Sequence, residues 1–526
     1  MSLRINDRSF ILFAVAVWAG FLFVRATGPD DIYSRDQIKV AAYVLDIVEN
    51  DAWLWQEDHQ GNFASKPPLT QWLGAAATQA YGEFHRLTLS FPSWLATLVT
   101  ILLLMGWTAR EFGRGAALWL PLLFLANNMG IREILLARSD TLFQCTIVVI
   151  ALGSWHAWMD GDKAWWVAVG SLAALMTKGP LGILLGLLGL LSCVFRNKEN
   201  PATIRRLPWK KIVIALLLAS ILPALWLYQA NLDSDGRAVA KLIHDELIEH
   251  AIGEREEDNQ QVWWHHLLPI AWFLTKLAPA SLFALSALKR IFKNPRPEGR
   301  ERRSELFVTT WLLGGLALLC LGTHHRFVHL LAILPPTAIL ASRQIAMWWQ
   351  DERKSMMWAT VCLSLVLPLV GVYLNIIDVG SKEIVLTEKS RAFTSAAIKE
   401  AGSNAQFEFF EVHAGLQVHL SQHKKFTSAK DLSNVLESDQ PLYLIADDEQ
   451  RIRELAGQQD VEIIDVALRY PTDPGNLIML ASKGASGTPR EQKRRAPSFY
   501  ILTLLSIATS LLLYGSQNYA RKGLSV

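Results

Sequence analysis

The chain repeatedly runs to the length of apolar segment that a lipid bilayer demands. A helix rising about 1.5 Å per residue needs about 20 mostly apolar residues to cross a hydrocarbon core of about 30 Å. About twelve segments approach that length: 9–24, 88–108, 114–131, 141–158, 164–177, 180–195, 211–228, 266–288, 305–322, 327–342, 357–375 and 498–515. Hydrophobic residues make up 51% of the 526 positions, which is too apolar for a soluble enzyme of this size. The expected fold class is therefore an α-helical polytopic membrane protein. Residues 9–24 follow Arg4 and Arg8 with no small-residue cleavage site behind them, so they read as a retained first span. Cys145, Cys193, Cys320 and Cys362 all sit in apolar segments without metal or redox spacing, which argues against disulfides and a zinc–thiolate site.

Charge sorts the connections into two sets. Arg110 and Arg114, the run from Arg196 to Lys211, Lys289 to Arg303, Arg353 and Lys354, and Arg521 with Lys522 form short basic loops expected to be cytoplasmic. Acidic stretches at 25–85, 229–265 and 376–495 are expected on the periplasmic side or its equivalent. Lys493, Arg494 and Arg495 break this pattern beside the last expected span. The division that follows is a transmembrane domain over 1–375 with two external loops, a small periplasmic α/β domain over 376–495, and a C-terminal span with a cytoplasmic tail over 496–526. Within 376–495 the apolar runs shorten to strand length at Phe407–Val412, Leu442–Ala446, Glu462–Val466 and Leu477–Ala481, with helical stretches at Arg391–Ala401 and Asp431–Glu437.

Five external points carry polar groups that hydrophobicity does not explain. They are the segment 30–69 with Asp36 and Lys66, Arg132-Glu133 with Arg138-Ser139-Asp140, the turn Thr177-Lys178-Gly179-Pro180, His244 to His266 including Glu246, and His324-His325-Arg326 with His329. Charge beside a span is costly unless it pairs or lines a cavity, so five such points on one side imply one shared cavity. A carboxylate such as Asp36 can take the proton of an attacking hydroxyl. Lys66, Lys178 and Arg326 can neutralise a phosphate that departs. Trp53, Trp55, Trp263 and Trp264 suit the bilayer interface or a sugar face.

Plainer readings stand beside these. Asp36 could cap a helix opened by Ser34-Arg35-Asp36-Gln37, Lys66 could snorkel, Asp140 could merely pair with Arg138, and Pro67-Pro68 starts a helix. His325 and His329 have the i, i+4 spacing of a metal pair on one helix face, without a third convincing ligand; phosphate contact and polar lining are the alternatives. His59, beside Glu57 and Asp58, reads as a surface-loop residue, and Glu254 to Asp258 as a solvated loop.

In this order the motifs resemble the GT-C glycosyltransferases that use polyprenyl-phosphate sugars, closest to the lipid A aminoarabinose transferases and the protein O-mannosyltransferase-like enzymes. The resemblance rests on Asp36-Gln37, Trp53-Leu54, Lys66-Pro67-Pro68-Leu69 with Trp72, Arg86, Arg138 with Asp140, Thr177-Lys178-Gly179-Pro180, Glu246 before Trp263-Trp264, and His325-Arg326 ahead of Pro335-Pro336. It covers roughly residues 10–345. It implies Asp36 as the catalytic carboxylate and Lys66 as a donor-phosphate contact, with Arg138, Asp140, Lys178, Glu246, His325 and Arg326 lining the substrate pocket. Gln37 stands where that family has Glu, His250 where Arg is common and His325 where Lys is common.

The expected function is transfer of a sugar from a polyprenyl-phosphate donor to an envelope glycolipid such as lipid A, a glycan or a protein, by inverting displacement. A transporter or flippase for a lipid-linked sugar and a non-catalytic binding member are the alternatives. The expected partners are that donor, membrane lipids and the acceptor, with no nucleic acid. No cofactor is required by the residues, and a divalent metal ion stays open. The expected location is the inner (plasma) membrane, multi-pass, with the site on the extracytoplasmic face.

Overall fold

The computed structural model describes residues 7–27, 32, 35–195, 207–248, 263–322, 325–351, 362, 382–402, 405–459, 461, 465–472 and 475–485. The chain opens with α1 (Asp7–Thr27), α2 (Arg35–Asn50), α3 (Leu69–Tyr81), the short α4 (Arg86–Leu89), α5 (Phe91–Phe112), α6 (Arg114–Leu125) and α7 (Asn128–Glu133). It continues through α8 (Asp140–Met159), α9 (Ala164–Leu175), α10 (Leu181–Leu187), which runs on as a 3-10 turn over Leu188–Val194, and α11 (Trp209–Asp233). After α12 (Arg237–Val239) and a π-helical segment Ala240–Ile248 come α13 (Leu268–Lys276), α14 (Ala280–Lys293), α15 (Arg300–Leu321), a 3-10 turn Phe327–Ala332 and α16 (Leu334–Gln350).

Among the described residues, five helices are long and apolar enough to cross a bilayer: α1, α5, α8, α11 and α15. The segment expected as one span over 266–288 is a pair, Trp264–Lys276 and Ala280–Lys293, bent by 105°. Segments 114–131, 164–177 and 180–195 hold shorter apolar helices. The expected spans 357–375, apart from Cys362, and 498–515 lie outside the described residues, as does the Glu254–Asp258 run.

Two expected spans are broken by identifiable chemistry. Over 114–131 the helix stops at Leu125, because Asn127 turns its amide back to the carbonyls of Leu123 and Phe124 (3.1 and 2.9 Å). Its Oδ1 then accepts from Gly130 N–H at 2.9 Å and caps the next helix. Only glycine fits there, since a Cβ on Gly130 would stand 2.3 Å from the Phe124 carbonyl oxygen. Over 327–342 the first six residues are 3-10 and the α-helix begins at Leu334.

Packing centres on α5 and α8. Trp155 of α8 meets Trp107, Trp158 and Phe307 at ring-centroid distances of 5.7, 6.0 and 5.0 Å. α11 behaves differently: Val213, Ile214, Leu217, Leu218, Ile221 and Leu225 are exposed along it. An apolar face of that size belongs against lipid. At one end of α5 and α8 lie Ser93 and Asp140. At the other end Arg300 holds Glu111 through two bonds (2.8 and 2.7 Å) and Asp160 through a third (2.8 Å).

The region after residue 381 forms α17 (Lys382–Ala401) and a four-stranded sheet of β1 (Gln406–Phe410), β2 (Leu442–Ala446), β3 (Asp465–Thr472) and β4 (Gly475–Ala481), in the order β1-β2-β4-β3. β1 and β2 are parallel and the other pairs antiparallel. Alternating residues face opposite sides. Phe407, Phe409, Tyr443 and Met479 pack on Phe393 and Ala397 of α17, whereas Phe410, Leu444 and Ile478 pack on the other side with Leu432, Leu436 and Ile452. The strand expected at Glu462–Val466 runs instead over Asp465–Thr472, as the partner of β4. The helix Glu449–Gln458 was not expected, although its cap was visible: Asp448 Oδ1 accepts from Arg451 N–H at 3.0 Å.

This α/β unit docks on the first polar segment. Phe426 N–H donates to the His59 carbonyl (3.3 Å), the His423 ring bonds the Glu57 carbonyl (3.0 Å), and Lys425 pairs with Glu57 (2.9 Å). The surface-loop reading of His59 is thereby corrected. Its ring is buried 4.9 Å from that of His423, and among the described residues neither nitrogen has a hydrogen-bond partner. Burial, reinforced by His423, lowers its pKa to about 3.

Gly130→Ala is expected to destabilise the detergent-solubilised protein by about 1–3 kcal/mol through overpacking against rigid backbone. Thermal unfolding checks this, and an unchanged midpoint would mean that the α6–α7 break has room to spare.

Candidate active site

Asp36 stands in the first turn of α2. The turn between α7 and α8 is brought to it by two contacts. Gln37 Oε1 accepts from Ala137 N–H at 3.1 Å, and the Ser93 hydroxyl donates to the carbonyls of Leu136 (2.6 Å) and Arg138 (3.2 Å). Pinned in this way, Arg138 bridges two carboxylates, donating to Asp36 Oδ2 at 2.9 Å through Nη2 and lying 3.1 Å from Asp140 Oδ2 through Nε. Lys178 pairs with the other oxygen of Asp140, and Arg326 reaches Asp36 Oδ2 at 3.5 Å. The result is one alternating chain: Lys178, Asp140, Arg138, Asp36, Arg326.

Exposure is lowest at Asp140 and rises from there towards Arg326. The Asp140 side chain is 7% exposed, whereas Asp36 and Arg326 are 46% and 49% exposed. The inner members are thus held out of water, while Asp36 is half open to solvent. Both guanidiniums on Asp36 use the same oxygen, Oδ2. The capping alternative for Asp36 leaves this double pairing unexplained.

Lys66 joins through the backbone. Leu69 N–H donates to the Met176 carbonyl at 3.0 Å, which sets Lys66-Pro67-Pro68 against the turn that carries Lys178. Between them opens a cavity of about 280 Å³ lined by Lys66, Lys178, Gly179 and Pro180, then by Pro223 and Leu227 of α11 and Leu242 beyond it. Two lysines at one margin and an apolar wall on a lipid-facing helix suit a molecule with an anionic head and a hydrocarbon tail.

Other expected residues stand as follows. The side chains of Glu246 and Trp263, and all of His250 and His324, lie outside the described residues. His325 packs perpendicular to His266 at 5.2 Å, and His266 Nδ1 bonds the Cys320 carbonyl at 2.8 Å. The helix face expected to carry His325 with His329 does not form, because 325–326 are non-helical and 327–332 are 3-10, where positions four apart diverge. Among the described residues the three-ligand grouping with metal-like spacing is His156, Asp160 and Asp162, at the opposite end of α8. There Arg110 and Arg300 already occupy Asp160, each at 2.8 Å.

Two positions acquire roles here that their motifs did not reveal. Gln37 is a positioning residue for Arg138. Glu133, 1% exposed, is buried near Asp140, and among the described residues neither of its carboxylate oxygens has a hydrogen-bond partner. The sequence signal for Glu133 was only its adjacency to Arg132.

Residues 65–227 match the family model of dolichyl-phosphate-mannose-protein mannosyltransferases. No curated protein sequence matches the chain. Among solved structures, ArnT from Cupriavidus metallidurans bound to undecaprenyl phosphate superposes with a TM-score of 0.66 at 13% identity, covering 91% of this chain and 98% of that one. Its apo state gives the same values. The apo oligosaccharyltransferase of Archaeoglobus fulgidus reaches a TM-score of 0.46 at 10% identity over 83% of this chain and 69% of that one. At these identities the likeness to ArnT speaks for a shared fold.

Because Asp140 is buried, removing one partner costs more than removing both. Lys178→Met alone is expected to destabilise by about 1–3 kcal/mol more than Lys178→Met combined with Asp140→Asn, the size of an unpaired buried polar group. Thermal unfolding of the single and double variants measures the difference. Simple additivity would show that the pair is not coupled.

Proposed function

We propose that this chain, a membrane glycosyltransferase of the GT-C class, moves a sugar from a polyprenyl-phosphate carrier to a hydroxyl of an envelope glycolipid, glycan or protein. The observation that carries the reading is the charge chain from Lys178 to Arg326 abutting a lysine-edged apolar cavity on α11. Such an arrangement accepts a phosphate and a prenyl tail on one side and presents a half-exposed carboxylate on the other. Undecaprenyl phosphate bound to the ArnT of similar fold agrees with a carrier of that type.

The reaction is a single displacement with inversion. The acceptor oxygen attacks the anomeric carbon as the bond from that carbon to the phosphate oxygen breaks. Asp36 accepts the hydroxyl proton on Oδ1, since Arg138 and Arg326 both engage Oδ2. The phosphate leaves with an added negative charge, which Lys66, Lys178 and Arg326 stabilise more strongly than they stabilised the diester. Arriving phosphate also competes for Arg326, which loosens its hold on Asp36 as the nucleophile approaches.

The basic connections around Arg110, Lys289 to Arg303 and Arg353 lie away from Asp36 in the charge pattern. By the positive-inside rule they are cytoplasmic, and the reaction is extracytoplasmic, in the inner membrane. The region 382–485 belongs to the same side, because it docks on the Asp46–His59 segment.

Asp36→Asn is expected to lower transfer by about 10²–10⁴-fold while donor binding persists. Lys66→Ala is expected to weaken donor binding as well. Purified variants assayed with a polyprenyl-phosphate sugar and envelope extract test both, and mass spectrometry of lipids and glycans from cells with and without the gene identifies the product. Carrier movement across vesicles without any glycosylated product would replace this reading with a flippase.

A further inference from the structure

Glu133 is a buried carboxyl group of this neighbourhood that the charge chain leaves out. It ends α7, seven residues before Asp140, and its carboxyl group is sealed from solvent with no hydrogen bond to either oxygen among the described residues. Its backbone carbonyl is occupied, accepting the Thr141 hydroxyl at 3.2 Å, so the side chain is held under the start of α8. An ionised carboxylate in such a place would forfeit its hydration, with only cations already engaged elsewhere to offset the loss.

The groups that act on it are Arg132 on its own helix, Arg138 on the following turn, Asp140 on α8 and Lys178 on the turn after α9; His329 acts in turn on Asp140. Two of these cations, Arg138 and Lys178, are already committed to Asp140, and Arg132 lies over the Phe327 ring at 5.0 Å. A charged Glu133 would compete with Asp140 for the same partners.

We infer that Glu133 is a positioning residue that keeps a proton in the resting enzyme and thereby leaves the donor site with an excess of positive charge. Lys178, Arg138 and Arg326 outnumber Asp140 and Asp36 by one in the charge chain; a neutral Glu133 preserves that excess for the single negative charge of a phosphodiester donor. Loss of the proton would cancel it. Burial, reinforced by Asp140, raises the pKa of Glu133 well above the usual carboxylate range against the pull of Arg138, Arg132 and Lys178, which agrees with the geometry. This inference rests on the donor reading of the site.

The sign follows. Raising pH through the shifted pKa adds negative charge beneath Lys178 and Arg138, so anion affinity falls. The probe is a polyprenyl phosphodiester sugar, whose own charge is constant over the range, bound to the purified full-length protein in detergent. Wild-type affinity is expected to fall by about tenfold more than that of Glu133→Gln between about pH 5 and about pH 9. Glu133→Leu supplies a second non-titrating variant and is expected to match Glu133→Gln in slope.

Thermal unfolding gives an independent readout. The folded chain keeps a proton that the unfolded chain releases, so wild-type stability falls as pH rises from the ordinary carboxylate range to the raised pKa. Both variants lose that component. Equal pH slopes of binding and stability in wild type and variants would overturn the inference while leaving the donor reading intact. Absence of diester binding by wild type at every pH would overturn the donor reading and this inference with it.

Discussion

Arg138 is the contact on which the site turns. It lies at a position where low dielectric makes an unpaired charge expensive, and it serves a buried carboxylate and a half-exposed one at once. Asp140 needs Arg138 and Lys178 because it is out of water. Asp36 can share Arg138 with Arg326 because it is not. One guanidinium therefore couples the buried Asp140 to the half-exposed Asp36.

The packing that supports Arg138 is correspondingly specific. Ser93 at the start of α5 and Gln37 on α2 both bond the short 136–138 segment, from opposite sides. As an amide, Gln37 can accept the Ala137 N–H without adding a third negative charge beside Asp36 and Asp140. The break at Asn127 and Gly130 serves the same end, since a straight continuation of α6 would carry Arg138 away from α2. At the far end of α5 and α8, Glu111, Asp160, Arg110 and Arg300 form a second closed network. The long central helices are thus fastened at both ends by charge and along their length by tryptophan.

The α/β unit contributes through the first polar segment. Glu57 collects Arg237 from α12, just beyond α11, and Lys425 from the sheet domain, each at 2.9 Å. Three segments remote in sequence meet at that one carboxylate. The contact ties the sheet domain to the segment after α2 and to the short α12 that follows the helix lining the apolar cavity.

Much of this was legible from local pattern. Apolar length announced α1, α5, α8, α11 and α15; Pro67-Pro68 announced α3; alternating apolar residues announced three of the four strands near their observed positions. Asp36, Arg138, Asp140, Lys178 and Arg326 were each marked by charge next to apolar runs, because such charge is rarely tolerated without purpose. Less visible were the bend between Lys276 and Ala280, the 3-10 start at Phe327, the burial of His59, and Glu133. Each depends on what a neighbouring element presents rather than on the residue itself. Hydropathy and charge act over a few residues and are written along the chain, so the sequence alone determined the membrane-spanning character and the set of chemically active groups. Which cation meets which carboxylate, and which carboxyl group is shut away without a partner, was decided only when helices distant in sequence closed on one another, because dielectric and hydrogen-bond geometry are properties of the assembled interior.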